Sequence, residues 1–410
     1  MRIGRSDKLM GEISALSSFA FRKYLCGILA ANIGFRIQAV ALAILVYRTT
    51  GSALDLGIVA AIGAVPAVLC TILGGVLADR YDTRRVWAVN AGISAALVGV
   101  LGMLTLNGAL PIGQIYALAA LMGVVAGVNM PLSQSYFPSL VSARALKSGV
   151  TFNNMSMSIA SIFGPTLAGL IIATVDLSAA FAVAALCWSL PVFIAPFLPA
   201  RKADLSQHHR TLADFRLGFS FIGQNRLVLL LAALIVANYL LIYGWVQTLP
   251  AFVDLFGGGE REVGYASTAA GAGATLGIIL AGRLRPGVYL GYQILGATAF
   301  FAAMVIGLSF APSFYLVPVL AFLAHAGNGL FSNYCSVAIQ ARIPEAVRGR
   351  VMGALSVIFN LGSFSGMWTG GAIALVGDVR LGMAVGPLVM LGIVLLVLAT
   401  QRQIRALAET

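Results

Sequence analysis

Twelve apolar runs of about twenty residues follow one another along this 410-residue chain and leave little room for anything else. Their approximate limits are 24–47, 53–78, 85–106, 112–138, 148–174, 178–198, 227–252, 263–282, 287–310, 314–340, 350–376 and 381–400. Each is long enough to cross the hydrocarbon core of a bilayer as a helix. The chain is 60% hydrophobic and 10% charged, against about 25% charged residues in an ordinary soluble domain. These runs predict an all-α polytopic membrane protein whose first partner is the lipid bilayer. The first run starts near residue 24, lacks a small-residue cleavage site and is too long for a signal-peptide core, so it reads as a retained helix.

The net charge of +12 could suggest nucleic acid as a partner, but its distribution argues against that. The basic residues sit in short clusters between apolar runs, without the continuous basic face that nucleic acid requires. Sidedness explains them. With both termini cytoplasmic, 22 of the 26 Lys and Arg fall on the cytoplasmic side; Arg48, Arg261 and Arg380 fall opposite, and Arg36 lies within a run. Such a bias sets the orientation of a multi-pass protein, here expected in a plasma (inner) membrane. Cys26, Cys70, Cys187 and Cys335 all lie inside apolar runs and read as small packing residues, with no disulfide framework or metal site.

The one long polar interruption, from Pro199 to Arg226, divides the chain. It predicts an N-terminal six-helix bundle at 1–198, a cytoplasmic linker at 199–226 and a C-terminal six-helix bundle at 227–410. The halves echo each other. Gly127 to Val150 and Gly327 to Arg350 both carry a polar-spotted helix, a short basic turn and a Gly-bearing helix start. Leu77-Ala78-Asp79-Arg80 likewise corresponds to Leu280-Ala281-Gly282-Arg283. Duplicated halves are a transporter signature, with the substrate expected near the midplane.

After the second run the chain reads Gly75-Val-Leu-Ala-Asp79-Arg80-Tyr-Asp82-Thr-Arg84-Arg85. Gly75 would allow close helix approach, and the charged residues would hold the membrane surface. This stretch resembles the cytoplasmic signature of the major facilitator superfamily. Asp82 stands where the superfamily usually has Gly, as in its drug and siderophore (enterobactin-type) exporter branch. The resemblance implies twelve helices in two pseudo-symmetric six-helix bundles and a conformational latch at Gly75, Asp79, Arg80, Arg84 and Arg85. The second-half copy, with Gly282 in place of Asp79, would be degenerate. Gly164-Pro165 through Gly169 is similar to the antiporter motif of the superfamily, though Ala160 replaces its upstream glycine. Gly362, Gly366 and Gly370 share one face of the eleventh run, a spacing that suits helix packing.

A cation in the middle of a membrane helix costs about 2.5 to 3.5 kcal/mol on insertion scales, and Arg36 occupies that place in the first run. It would either bond carbonyls, snorkel to one surface or line a substrate path. Asn32 shares its face four residues earlier, while Gln38 points elsewhere. In the superfamily the first, fourth, seventh and tenth helices line the central cavity. Those runs offer Asn32 and Arg36; Asn129, Gln134 and Tyr136; Asn238, Tyr239, Tyr243, Trp245 and Gln247; and His325, Asn328, Asn333 and Tyr334. The substrate-binding set expected from them is Arg36, Asn32, Asn129, Gln134, Tyr239, Tyr243, His325 and Asn328.

All 14 Asp and Glu fall in loops, tails or run ends, so Arg36 has no evident internal counter-charge. A guanidinium suits carboxylate or phosphate, which points to an anionic small molecule, such as a carboxylate-bearing siderophore. Asp55 and His325 are the candidates for coupling to a proton or other ion. No phosphate-cradling Gly-Lys-Ser/Thr loop, no His-Glu-x-x-His and no Cys-x-x-Cys pair is present, so no cofactor and no enzyme activity are expected. The expectation is a monomeric secondary active transporter that exports a siderophore-like or other anionic molecule or drug by alternating access. An importer of an anionic siderophore or organic acid is the alternative.

Overall fold

Lipid offers a backbone no hydrogen-bond partners, so every spanning segment must close its own bonds as a helix or a barrel. In the computed structural model the expected runs, where described, are helical. The structure describes residues 15–108, 110–200, 212–283, 290–344, 351–355 and 378–401, with 347 and 358. The helices are α1 (Phe19–Thr50), α2 (Ala53–Arg80), α3 (Thr83–Leu106), α4 (Ile112–Tyr136), α5 (Leu146–Thr174) and α6 (Leu177–Ile194), then α7 (Leu212–Gln224), α8 (Arg226–Ile242), α9 (Trp245–Asp254), α10 (Glu260–Arg283), α11 (Leu290–Ser309), α12 (Leu316–Gln340) and α13 (Val379–Thr400). Ten stretches among the described residues are long and apolar enough to cross a membrane. α12, 25 residues long, is not among them, because His325, Asn328 and Asn333 lower its hydropathy. The expected eleventh span, with Gly362, Gly366 and Gly370, lies outside the described residues apart from 351–355 and 358.

Two segments differ from the sequence reading. The expected linker contains a helix, α7, because its apolar and polar residues interleave at a length too short to register as a span. Asn225 then caps α8, its side chain accepting from the Val228 N–H at 3.2 Å. The seventh run is not one helix but two, α8 and α9. The break falls at Tyr243-Gly244, where Gly244 favours the helix less than its apolar neighbours do.

Contacts divide the chain into two compact units, one within Met1–Ala41 and Val65–His209 and the other within Leu42–Ala64 and Arg210–Thr410. In the second unit the Tyr47 hydroxyl donates to Asp254 at 3.0 Å, Arg48 pairs with Glu260, and the Gln247 amide donates to the Leu56 carbonyl at 3.3 Å. These bonds explain why the end of α1 and the start of α2 group with α9 and α10.

Within each unit, helix pairs cross backbone to backbone at glycines. In the first unit a Cβ on Gly127 of α4 would run into the Ala67 carbonyl of α2, and one on Gly74 would lie 2.8 Å from Val128 Cα. In the second unit Gly273 and Gly277 of α10 abut the Phe322 and Ala326 carbonyls of α12, and Gly329 abuts Ala274. The second and fourth spans of one half thus cross as the eighth and tenth of the other do. Expected at Gly75, the close approach is made by its neighbour Gly74; among the described residues a Cβ on Gly75 would meet nothing within 4 Å. One residue along a helix turns the side chain by about 100°, enough to move it off the contact.

α1 is held against α6 by a second glycine contact and a buried polar pair. A Cβ on Gly34 would stand 2.8 Å from Cys187 Cβ and 2.9 Å from the Ala184 carbonyl oxygen. One turn later the buried Gln38 accepts from the Trp188 indole N–H at 3.1 Å and turns its amide toward Met122 Sδ at 3.2 Å.

At the other end of this unit, Asp82 caps α3. Its side chain accepts from the Arg84 N–H at 3.1 Å and pairs with the Arg84 and Arg85 guanidiniums at 3.4 and 3.8 Å. Arg84 also donates to the Leu198 carbonyl at 3.0 Å, and the Tyr136 hydroxyl donates to that of Pro199 at 3.1 Å. Tyr136 meets Tyr24 edge-on and packs at a tilt against Trp87. Arg80 is exposed at the end of α2, and the side chain of Asp79 lies outside the described set.

Gly277→Val should drive a branched side chain into the Ala326 carbonyl and destabilise the second unit by about 3 kcal/mol or more. Gly296→Ala, which meets nothing within 4 Å, should leave thermal unfolding in detergent unchanged. Trp188→Phe removes the donor to buried Gln38 and should cost about 1–3 kcal/mol, read as a lowered unfolding temperature.

Candidate substrate-binding site

A cavity of about 650 Å³ lies within the first unit, between α1, α4 and α5 with one wall from α6. It falls in the range of small-molecule sites, about 300–1,000 Å³. From α1 it receives Ile28, Asn32, Phe35 and Arg36; from α4, Ala126, Asn129, Ser133 and Gln134; from α5, Val150, Asn153, Asn154 and Met157. Phe137 and Trp188 complete it. The positions on α1 lie four, seven and eight residues beyond Ile28, the pattern of a single helical face. One face of α1 therefore presents both Asn32 and Arg36 to this space.

Among the described residues the lining holds one cation, five carboxamides and one hydroxyl, with no Asp or Glu. Arg36 is half-buried, and its guanidinium carbon stands 5.9 Å from the Phe35 ring centroid, near the outer limit of a cation–π contact. Among the described residues it forms no hydrogen bond or ion pair with another side chain. Asn32 donates to Ser156 Oγ at 3.1 Å, and Ser156 in turn donates to the Asn153 carbonyl at 2.7 Å. Asn32 is thus fixed against α5, while Arg36, one turn further on, keeps its charge for the cavity. Removed from bulk water, a fixed cation attracts an anion more strongly than at a protein surface. The amides offer both donors and acceptors, and Ile28, Phe35, Phe137, Val150 and Met157 offer apolar and aromatic surface.

Four of the expected substrate residues, Asn32, Arg36, Asn129 and Gln134, therefore meet around one cavity. Tyr136, also considered from its place on the fourth run, is buried in the Tyr24–Trp87 ring cluster instead. The other four belong to the second unit. His325, 6% exposed, is ringed by Trp245 at 5.3 Å and by Tyr243 and Phe301 at 6.0 Å. Tyr239 stacks on Tyr243 at 5.3 Å and lines a separate cavity of about 100 Å³ with Ser332 and Ser336. Asn328 is buried beside His325 on α12. Asp55 lies in the first turn of α2 and does not line the larger cavity.

Asn153, Asn154, Ser133 and Trp188 line the larger cavity without having been singled out from sequence. In the sequence, Asn153-Asn154 is a polar break in the fifth run, ahead of its Gly-Pro step. Among the described residues no group of three or more His, Cys, Asp or Glu could hold a metal ion.

The described fold is shared with solved transporters. A nucleoside transporter, NupG, superposes with a TM-score of 0.70 at 15% identity, covering 91% of this chain and 96% of that one. A D-xylose–proton symporter superposes with a TM-score of 0.69 at 14% identity, covering 96% and 100%. Sequence relatives lie closer. An uncharacterised MFS-type transporter, YfiS of Bacillus subtilis, is 26% identical over 341 residues, 80% of each chain. The staphyloferrin A transporter of Staphylococcus aureus is 25% identical over 319 residues, 75% of this chain and 78% of that one. The enterobactin exporter EntS of Escherichia coli is 26% identical over 342 residues, 82% and 80%. The family model described as transmembrane secretion effector matches residues 10–409. With its all-helical spans, duplicated glycine crossings and signature loop, the chain belongs to that family, within the major facilitator superfamily of membrane transporters.

Proposed function

We propose that this transporter is a secondary active exporter of an anionic, siderophore-like small molecule, working by alternating access in the inner membrane. The observation that carries the reading is Arg36, which among the described residues is the one cation of a cavity lined by five carboxamides and no carboxylate. A positive site without a described internal counter-ion favours a ligand that brings the negative charge, and the planar guanidinium fork suits a carboxylate or phosphate. The aromatic and amide lining suits the rest of such a molecule. Outward transport draws support from the relative named as an enterobactin exporter, and a siderophore substrate from that one and from the relative named as a staphyloferrin A transporter. The 22 basic residues on one side favour cytoplasmic termini.

For coupling, His325 and Asp55 are the groups to consider. His325 sits within an aromatic ring cluster in the second unit, and imidazole is the side chain whose ordinary pKa lies nearest neutrality. The latch at Gly75, Asp79, Arg80, Arg84 and Arg85 would favour one conformation through the Asp82-capped turn.

The test is binding and transport by purified protein in proteoliposomes of defined orientation, with iron-free enterobactin and iron-free staphyloferrin A. Arg36→Gln should weaken binding of the transported anion about ten- to a hundred-fold, the effect of losing a hydrogen bond to a charged group. Arg36→Lys, which keeps the charge and loses the fork, should fall between. Unchanged affinity in Arg36→Gln rejects the anion site, and transport only toward the cytoplasmic side rejects export.

A further inference from the structure

We propose that Gly164 is a positioning residue for Arg36, an unoccupied Cβ position on α5 that lets the arginine stem lie against the helix backbone. Gly164 is buried. A Cβ built there would collide with Arg36 Cβ, lie 3.3 Å from Arg36 Cγ and stand 3.5 Å from the Ile33 carbonyl oxygen. The collision involves the first atom of the side chain, which no rotamer change can move. Only a shift of one backbone against the other relieves it.

α1 has nowhere to withdraw. Gly34, two residues from Arg36 and so about 200° around the helix, is pressed against Cys187 and the Ala184 carbonyl of α6. Gln38 on that same side is bonded to Trp188. α1 is thus wedged at this level between α5 and α6, with a glycine at each contact. The next residue on α5, Pro165, has no N–H for the Ser161 carbonyl, so α5 lacks one helix bond where it meets Arg36. The Gly-Pro step accordingly presents a bare patch of backbone to the Arg36 stem.

A methyl at Gly164 should move the Arg36 guanidinium by a large fraction of an ångström, and misplacement of about 1 Å can cost roughly a hundredfold where geometry matters. The consequence for anion binding rests on the function proposed above; the contact itself does not. The primary test therefore needs no substrate. Phenylglyoxal modification of individual arginines in the purified full-length protein is followed by peptide mass spectrometry. In Gly164→Ala the rate at Arg36 should change by at least about three-fold, while exposed Arg144 keeps its rate. Gly113→Ala, whose Cβ meets nothing within 4 Å, should change neither.

An unchanged Arg36 rate in folded Gly164→Ala overturns the proposal, as does an equal change at Arg144, which would mean general loosening. Should Gly164→Ala not fold, the double variant Gly164→Ala/Arg36→Gly decides. Recovery of folded protein places the conflict at Arg36 Cβ, and no recovery overturns it. A second arm uses iron-free enterobactin as the probe. Gly164→Ala should weaken its binding about ten-fold or more in the Arg36 protein and have little effect in Arg36→Gln. If the probe binds neither protein, the functional reading fails while the labelling result still judges the contact.

Discussion

Contact between helix backbones at glycines is the constraint on which the rest of this structure depends. Between helices in lipid there is little hydrophobic gain to be had, because lipid tails are as apolar as leucine. Association must come from close packing, and close packing requires that side chains be absent at the crossings. Gly127 and Gly74 provide this for α2 and α4, and Gly273, Gly277 and Gly329 provide it for α10 and α12. The two halves use the same helix pair in the same way although their sequences have diverged. Conserving a crossing requires only that small residues meet, and it leaves the other faces free to change.

The cavity is a consequence of the same packing. α1 is drawn onto α6 by Gly34 and the Gln38–Trp188 bond, and onto α5 at Gly164. These contacts set the rotation of α1, and the rotation decides that Asn32 and Arg36 face the cavity while Gln38 faces the packed interior. A polar residue in a membrane helix can serve either purpose. Gln38 and Arg36 are separated by two positions and have opposite roles because about 200° of helix lies between them.

The latch region shows a similar division of labour on a smaller scale. Asp82, at the position that departs from the usual superfamily pattern, caps α3 and collects both Arg84 and Arg85. Arg84 then reaches the Leu198 carbonyl. The turn between α2 and α3 is thereby tied to the end of α6, a bond between elements more than a hundred residues apart.

Much of this was legible in the sequence, since a bilayer imposes simple rules. Length and hydropathy identified the spans, the placement of Lys and Arg gave the expected orientation, and the spacing from Gly75 to Arg85 pointed to the superfamily. The exceptions have local causes. α7 was hidden by its mixed hydropathy, and the close approach expected at Gly75 belongs to Gly74, because patterns of glycine do not reveal which one lies at the crossing. Arg36 stood out by its cost in lipid, and Asn32 by its fourfold spacing from it. Which of the scattered amides would join them, and that Asn153 and Asn154 would and Tyr136 would not, depended on how α4 and α5 rotate about their axes. The sequence alone determined which segments cross the membrane and where charge is anomalous, because those follow from the solvent. Only the tertiary structure decided which polar groups share a cavity and which glycine seats the arginine, because those depend on contacts between residues far apart in the chain.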